Sequence, residues 1–323
     1  MGLVKLSGKE KRRETVRVGV LGGGVSAERE ISLISAREAH KALVAKGLEV
    51  VFIDICTNQE AKVKELIVSS GIDLAFIALH GEFGEDGRIQ TILEELDITY
   101  TGSGPEASAL AMDKAASKRI FKTQGITTPD FTVLTPGQRT PSAINYPVVV
   151  KPCSSGSSIG VSILRGKNNL AAALKLAFFY SAEVILEDYI EGREVTVGIL
   201  DNQPLAVVEI IPKKEHFDFD AKYSEGGSEF IAPASLDQAV TKLVQVVGLA
   251  AHKALGCRHF SRVDIRLDQD NVPFVLEVNS IPGLTLHSLL PFAAGVYGIN
   301  FNDLILQMVE LALPGYKLGV VTG

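Results

Sequence analysis

The sequence predicts an α/β protein of two or three domains that opens on a parallel sheet. Three observations carry this: the length, the early alternation of strand and helix signals, and two later changes of character. At 323 residues the chain is too long for one small core. In its first third, Val16 to Leu21, Glu49 to Ile55 and Asp73 to Leu79 are short β-rich runs of the kind that fill buried parallel strands. Helical patterns lie between them, from Glu28 to Lys46 and from Asn58 to Ser69, the first stopped by Gly47 as a C-cap. A βαβαβ order gives an open parallel sheet whose ligands gather at the carboxyl ends of its strands. The loops at that edge are Gly22 to Glu28 and His80 to Gly87.

The first change of character follows the turn-rich run Thr101-Gly102-Ser103-Gly104-Pro105, and a domain boundary is placed there, giving an N-terminal domain over 1–112. A helix from Asp113 to Gln124 and strands at Val148 to Lys151, Val161 to Leu164 and Glu183 to Asp188 form a central domain, 113–200. Strands at Leu205 to Ile210, Arg262 to Leu267 and Pro273 to Val278 form a C-terminal domain, 201–323. Within it the polar stretch 212–233 is long enough to be a lid or binding loop.

Composition narrows the classes. Hydrophobic residues are 46% and charged ones 22%, the profile of a soluble globular protein. A formal charge of −6 argues against a nucleic-acid partner, and the basic cluster Lys9 to Arg13 reads as a solvated end. Cys56, Cys153 and Cys257 are odd in number, far apart and without zinc spacing, which fits a reducing cytoplasm. The charged N-terminus has no apolar run after it, so it is not a signal peptide, and Leu6 stands where myristoylation needs Ser or Thr. The apolar stretch Leu289 to Phe301 is broken by Pro291, Gly295 and Gly298 and is too short to cross a bilayer. A cytoplasmic protein with neither membrane nor nucleic-acid partner is expected.

The strongest chemical signal is Arg262-Val263-Asp264-Ile265-Arg266 with Leu276-Glu277-Val278-Asn279. Strand alternation puts Arg262, Asp264 and Arg266 on one face, and Glu277 and Asn279 on one face of the other strand. If the two strands pair, Asp264, Glu277 and Asn279 converge as oxygen donors without His or Cys, a set suited to Mg2+ held with substrate phosphates. A solvated face with ordinary salt bridges is the alternative. Gly283, shortly after, frees a backbone N–H to approach an oxyanion. Lys151 ends a Val-Val-Val strand and leads into Pro152-Cys153-Ser154-Ser155-Gly156-Ser157-Ser158, the composition of a phosphate-covering flap or of a flexible surface hairpin. Lys114 opens a helix where the dipole disfavours a cation. Lys222 and Tyr223, in the long loop, could meet a carboxylate or join a hydrogen-bond relay. Gly22, Gly24 and Ala27 also fit a dinucleotide-binding pattern, so a nicotinamide enzyme is a rival. Against it, Asp54 lies farther downstream than the usual ~20 residues, and Glu28 and Glu30 would repel a pyrophosphate. An acid there suits an ammonium group.

Taken together, these segments resemble the D-alanine–D-alanine ligases. Gly23 to Glu30, His80 to Gly87, Tyr100 to Gly104, Met112 to Lys114, Lys151 to Gly160, Arg262 to Asp264 and Glu277 to Thr285, followed by His287-Ser288, all stand in family order. The resemblance implies a three-domain ATP-grasp fold, with ATP between the central and C-terminal domains. It implies that Lys114 and Lys151 hold the phosphates under a flap carrying Ser157 and Ser158. Glu187 would meet the adenine amino group, the backbone of Tyr189 and Ile190 its edge, and Glu194 the ribose. Two Mg2+ or Mn2+ ions would sit on Asp264, Glu277 and Asn279. Glu28 would anchor the ammonium of the first D-alanine, with His80 near its carboxylate. Arg262 and the Gly283 N–H would stabilise the tetrahedral intermediate, and Lys222 and Ser288 would hold the second D-alanine. A triad of Glu28, Ser157 and Tyr223 would pin the lid. The implied reaction joins two D-alanines through an acyl phosphate for peptidoglycan synthesis, in a homodimer. Cys153-Ser154-Ser155 departs from the family's more usual charged residues before the flap glycine, and Tyr189 stands at a variable position. Relatives that prefer D-lactate or D-serine, and a catalytically inactive ATP-grasp binding protein, are the alternatives. Lys222-Tyr223 favours the dipeptide, and the complete set of charged residues favours catalysis.

Overall fold

A computed structural model describes residues 16–212 and 228–313. The Lys9 to Arg13 cluster, Lys222 and Tyr223 lie outside the described residues. Three sheets organise the described residues. The first is parallel, in the order β2-β1-β3-β4, from β1 (Arg17–Gly23), β2 (Glu49–Ile55), β3 (Leu74–Ile77) and β4 (Thr99–Tyr100). Helices α1 (Arg29–Ala45), α2 (Glu60–Ser70) and α3 (Arg88–Glu95) connect its strands. All four residues of β3 are buried, as expected where helices cover both faces.

Two short helices, α4 (Pro105–Met112) and α5 (Lys114–Thr123), lead to the second sheet. Asp113 caps α5, its carboxylate accepting from the N–H groups of Ala115 and Ala116 at 2.9 and 3.0 Å. The second sheet is antiparallel, ordered β5-β8-β6-β7, with β5 (Phe131–Leu134), β6 (Val148–Pro152), β7 (Ser162–Leu164) and β8 (Val184–Asp188). Helix α6 (Leu170–Tyr180) packs on it.

The third sheet is ordered β11-β10-β9-β12-β13, all neighbours antiparallel. Its strands are β9 (Arg193–Leu200), β10 (Gln203–Pro212), β11 (Ser228–Ile231), β12 (Phe260–Leu267) and β13 (Pro273–Asn279). Helices α7 (Gln238–Ala254), α8 (Leu289–Gly295) and α9 (Phe301–Ala312) complete the described residues. Two sequence expectations change here. The boundary at residue 200 falls inside this sheet, because β9 pairs with both β10 and β12. The stretch 212–233 is also partly sheet, since Ser228–Ile231 pairs back onto Glu209 to Pro212. Gly198 on β9 has a packing reason: a Cβ there would stand 2.5 Å from Leu290 of α8.

The cores are shared unequally. Val18, Val20, Leu43 and Phe76 of the first sheet and α1 form one cluster with Leu200, Ile210, Phe260, Leu290, Leu304 and Met308. The second sheet keeps a cluster of its own, Leu134, Val148, Val150, Ala173, Ala177, Val184 and Leu186. No helix among the described residues is long and apolar enough to cross a membrane.

His252, near the end of α7, is fully buried, with Nδ1 2.7 Å from Ser261 Oγ. Burial, helped by the neighbouring Lys253, pushes its pKa down to about 4. The unfolded chain therefore takes up this proton more readily than the folded one. The stability at stake is lost as pH falls from about 6.5 through about 4, and amounts to roughly 3 kcal/mol. Urea unfolding followed from pH 7 to pH 4 should show this loss, and the His252→Asn variant should show a shallower one.

Candidate active site

A cavity of about 520 Å3 opens where the three sheets meet. Strands β12 and β13 form its floor. Their register sets Arg262 opposite Asn279 and Asp264 opposite Glu277, with a bulge after Asp264. Bulges commonly re-aim side chains beside active sites. The Arg262 guanidinium grips Asp264 at 2.9 and 2.8 Å, and Thr196 Oγ1 of β9 donates to the same carboxylate at 2.7 Å.

Lys114, at the first turn of α5, reaches across to this floor. Its Nζ donates to the Ser155 carbonyl at 2.7 Å and lies 3.1 Å from Glu277 Oε2. Burial works against that charge, but Glu277 outweighs it and holds the ammonium pKa above its ordinary value. The dipole mismatch noted in the sequence is thus offset by a carboxylate from another element.

Lys151, next to the last residue of β6, pairs with Glu187 Oε1 at 2.6 Å. Burial tends to raise the Glu187 pKa, but Lys118 and Lys151 overcome it and hold the carboxyl below its usual range. Farther along, Arg266 of β12 organises the 189–194 corner. It donates to the Ile190 carbonyl at 3.1 Å and to the Tyr189 hydroxyl at 3.3 Å, lies over the Tyr189 ring, and pairs with Glu194 at 3.3 Å.

From the other side come the first sheet's loops. Glu28, at the start of α1, is 7% exposed and accepts a short hydrogen bond from Ser157 Oγ of the flap. Ser157 and Ser158 both have left-handed backbones, φ 51° and 56°, an uncommon state for two successive non-glycine residues. Gly156 is needed beside them, since a Cβ would stand 2.8 Å from the Glu28 carboxylate. His80 is buried. Its Nδ1 lies 3.2 Å from the Ile281 carbonyl, which can only accept, so Nδ1 donates there, while Nε2 lies 3.0 Å from the Ser35 hydroxyl. Glu85 stands 3.8 Å from His80, and burial raises its carboxyl pKa, with the nearby His80 ring working against the rise. Ser288 Oγ accepts from the Thr285 N–H at 3.1 Å, closing the turn after Gly283.

Of the residues singled out in the sequence, Glu28, His80, Lys114, Ser157, Arg262, Glu277, Asn279, Gly283 and Ser288 line the cavity. Ser158, Lys151, Glu187, Tyr189, Ile190, Glu194 and Asp264 do not. Sequence reasoning passed over Glu85, Thr196 and Lys118. A signal for Lys118 exists, because Lys114, Lys118 and Phe121 recur at helical spacing on the buried side of α5. The dinucleotide alternative loses its ribose reader, as Asp54 is taken by Arg29 at 2.9 and 2.8 Å.

The floor suits a hard cation. Among the described residues Asn279 Oδ1 is buried without a hydrogen-bond partner, and it stands two residues along β13 from Glu277, the residue paired with Asp264. Among the described residues no three His, Cys, Asp or Glu side chains form a cage. The set therefore fits a cation that also takes oxygens from its substrate, as Mg2+ does with phosphates.

Two antiparallel sheets meeting at buried lysines, one bearing a small-residue flap and the other an acidic floor, beside a parallel sheet, define a ligase of the ATP-grasp class. The family described as D-ala D-ala ligase C-terminus matches residues 120–310, and its N-terminal counterpart matches residues 56–103. The chain is 45% identical to the D-alanine–D-alanine ligase of Geotalea uraniireducens, over 93% of this chain and 96% of that one. It is 47% identical to that of Citrifermentans bemidjiense, over 92% and 96%. The Bacillus anthracis D-alanine–D-alanine ligase complexed with ATP superposes with a TM-score of 0.81 at 35% identity, covering 93% of this chain and 98% of the other. The chain belongs to the D-alanine–D-alanine ligase family.

Proposed function

We propose that the protein joins two D-alanines into D-alanyl-D-alanine at the expense of ATP, supplying peptidoglycan synthesis. One observation carries this reading: a single cavity holds an acid for an ammonium group, Glu28, opposite a lysine, an arginine and an acidic floor for phosphate and metal.

A carboxylate is a poor electrophile, so it needs activation. The first D-alanine, its ammonium on Glu28 and its carboxylate near His80, presents an oxygen to the γ-phosphorus of ATP. A new P–O bond forms, the bond to ADP breaks, and an acyl phosphate results. Phosphoryl transfer depends on positioning and cations, which Lys114, Lys151 and Arg262 supply. Asp264, Glu277 and Asn279 would hold Mg2+ or Mn2+, which neutralises phosphate charge when bound. The second D-alanine, its carboxylate on Ser288 and Lys222, attacks the acyl carbon with its amine. Arg262 and the Gly283 N–H receive the developing oxyanion, and collapse expels phosphate with loss of the amine proton. Ser157 and Ser158 close the flap and exclude water from the acyl phosphate, with Tyr223 completing the Glu28–Ser157 contact. Glu187, the Tyr189–Ile190 backbone and Glu194 form the nucleoside site. An N-terminal part over 1–112, a central part, a C-terminal part with its lid, a homodimeric assembly and a cytoplasmic location complete the proposal.

Phosphate release from Mg·ATP should depend on D-alanine, fail with L-alanine, and yield a product of dipeptide mass. With D-alanine plus D-lactate at neutral pH the dipeptide should remain dominant. A dominant D-alanyl-D-lactate product, or ATP binding without turnover, would refute the reading.

A further inference from the structure

Lys118 has no part in the reaction above, yet its side chain is wholly buried. A buried ammonium is costly unless it is paired and hydrogen-bonded, and an apolar side chain of similar volume would fill the space at lower cost. Its partners are Thr128 Oγ1 at 2.6 Å and Glu187 Oε2 at 2.9 Å. Thr128 passes its own proton to the Val275 carbonyl at 2.7 Å, and the Val275 N–H returns to the Thr127 carbonyl at 2.9 Å. Val275 lies on β13, two residues before Glu277. A continuous chain of polar contacts therefore runs from Glu187 on the second sheet to the strand bearing Glu277 and Asn279.

Glu187 itself stands between two lysines, Lys151 on Oε1 and Lys118 on Oε2. The Lys118 contact is a close ion pair at 2.9 Å outside good hydrogen-bond alignment, and among the described residues buried Oε2 has no aligned donor. A 6-amino group on a purine would supply that donor. A 6-keto purine would set an oxygen against the carboxylate and be rejected.

We propose that Lys118 is a positioning residue for nucleobase selection: it pins the Glu187 carboxylate for a 6-aminopurine and, through Thr128, sets its spacing from β13. The inference rests on the reading of Glu187 as the adenine contact.

The test compares ATP with inosine triphosphate, which has a 6-keto group, in wild type, Lys118→Met, Lys118→Arg, Thr128→Val and Glu187→Gln. Lys118→Met should reduce the ATP preference in kcat/KM about tenfold or more, through a higher KM for ATP. Its KM for D-alanine should change less than about twofold, and Lys118→Arg should recover part of the preference. Thr128→Val, which keeps the ion pair, should move the ATP KM the same way by a smaller factor, and decides the matter if Lys118→Met does not fold. A lowered melting temperature with the ATP preference intact would make Lys118 merely structural and overturn the proposal. If Glu187→Gln keeps the preference, the Glu187 reading falls and takes the proposal with it. If Glu187→Gln loses the preference and Lys118→Met keeps it, the Lys118 proposal alone falls.

Discussion

Replacing Arg262 with methionine is expected to lower kcat by about 10²–10³, the range found when one oxyanion donor is removed. The guanidinium is held in a fixed fork by both Asp264 oxygens and lines the cavity beside the Gly283 turn. A donor fixed in advance costs no reorganisation when charge develops on the acyl oxygen. Arg262→Lys keeps the charge but not the planar fork, and should recover only a fraction of the rate. Initial-rate phosphate release with saturating ATP and D-alanine measures the effect. A fall of less than about tenfold for Arg262→Met would remove Arg262 from the oxyanion role.

Glu28→Gln should have the next largest effect, and a different signature. The substitution preserves shape, and the amide oxygen can still accept from Ser157, but the negative charge is gone. A buried charge partner removed in this way costs about 2–5 kcal/mol, so the KM for the first D-alanine should rise about a hundredfold or more. On the proposed reading, which puts the second D-alanine on Ser288, its KM should be unchanged. The two constants separate in a D-alanine titration that shows both sites. Equal rises in both would mean that Glu28 supports the flap alone and does not anchor the ammonium.

Much of this site is legible in the amino-acid sequence. Alternation along Arg262 to Arg266 and Glu277 to Asn279 points to one converging floor, and the register sets Asp264 directly opposite Glu277. The boundaries of β2 and of α5, read from the sequence as Glu49 to Ile55 and Asp113 to Gln124, agree with the structure within a residue. What escapes does so for physical reasons. Strand β9 reads weakly because Thr196 and Gly198 interrupt its apolar run, and their reasons lie elsewhere. Thr196 serves Asp264, and Gly198 makes room for Leu290. The hydrogen bonding of His80 is equally hidden, since Ser35 and Ile281 are far from it in sequence. Lys118 looks like any helical lysine because its partners Thr128 and Glu187 come from separate segments. Lys151 and Glu187 are expected at different ends of one nucleotide, yet the structure pairs them directly.

The second sheet's separate apolar cluster has a consequence for cooperativity. The first and third sheets share a cluster that couples their opening, whereas the second can open as a smaller unit with its own free energy. A nucleotide lying between β8 and β13 would bind both units and penalise that opening. Amide hydrogen exchange in β5, β6 and β8 should then slow when nucleotide is added, while exchange in β1 and β3 stays nearly constant. Isotope uptake in one sheet would thus report occupancy of the nucleotide crevice without any chemical turnover.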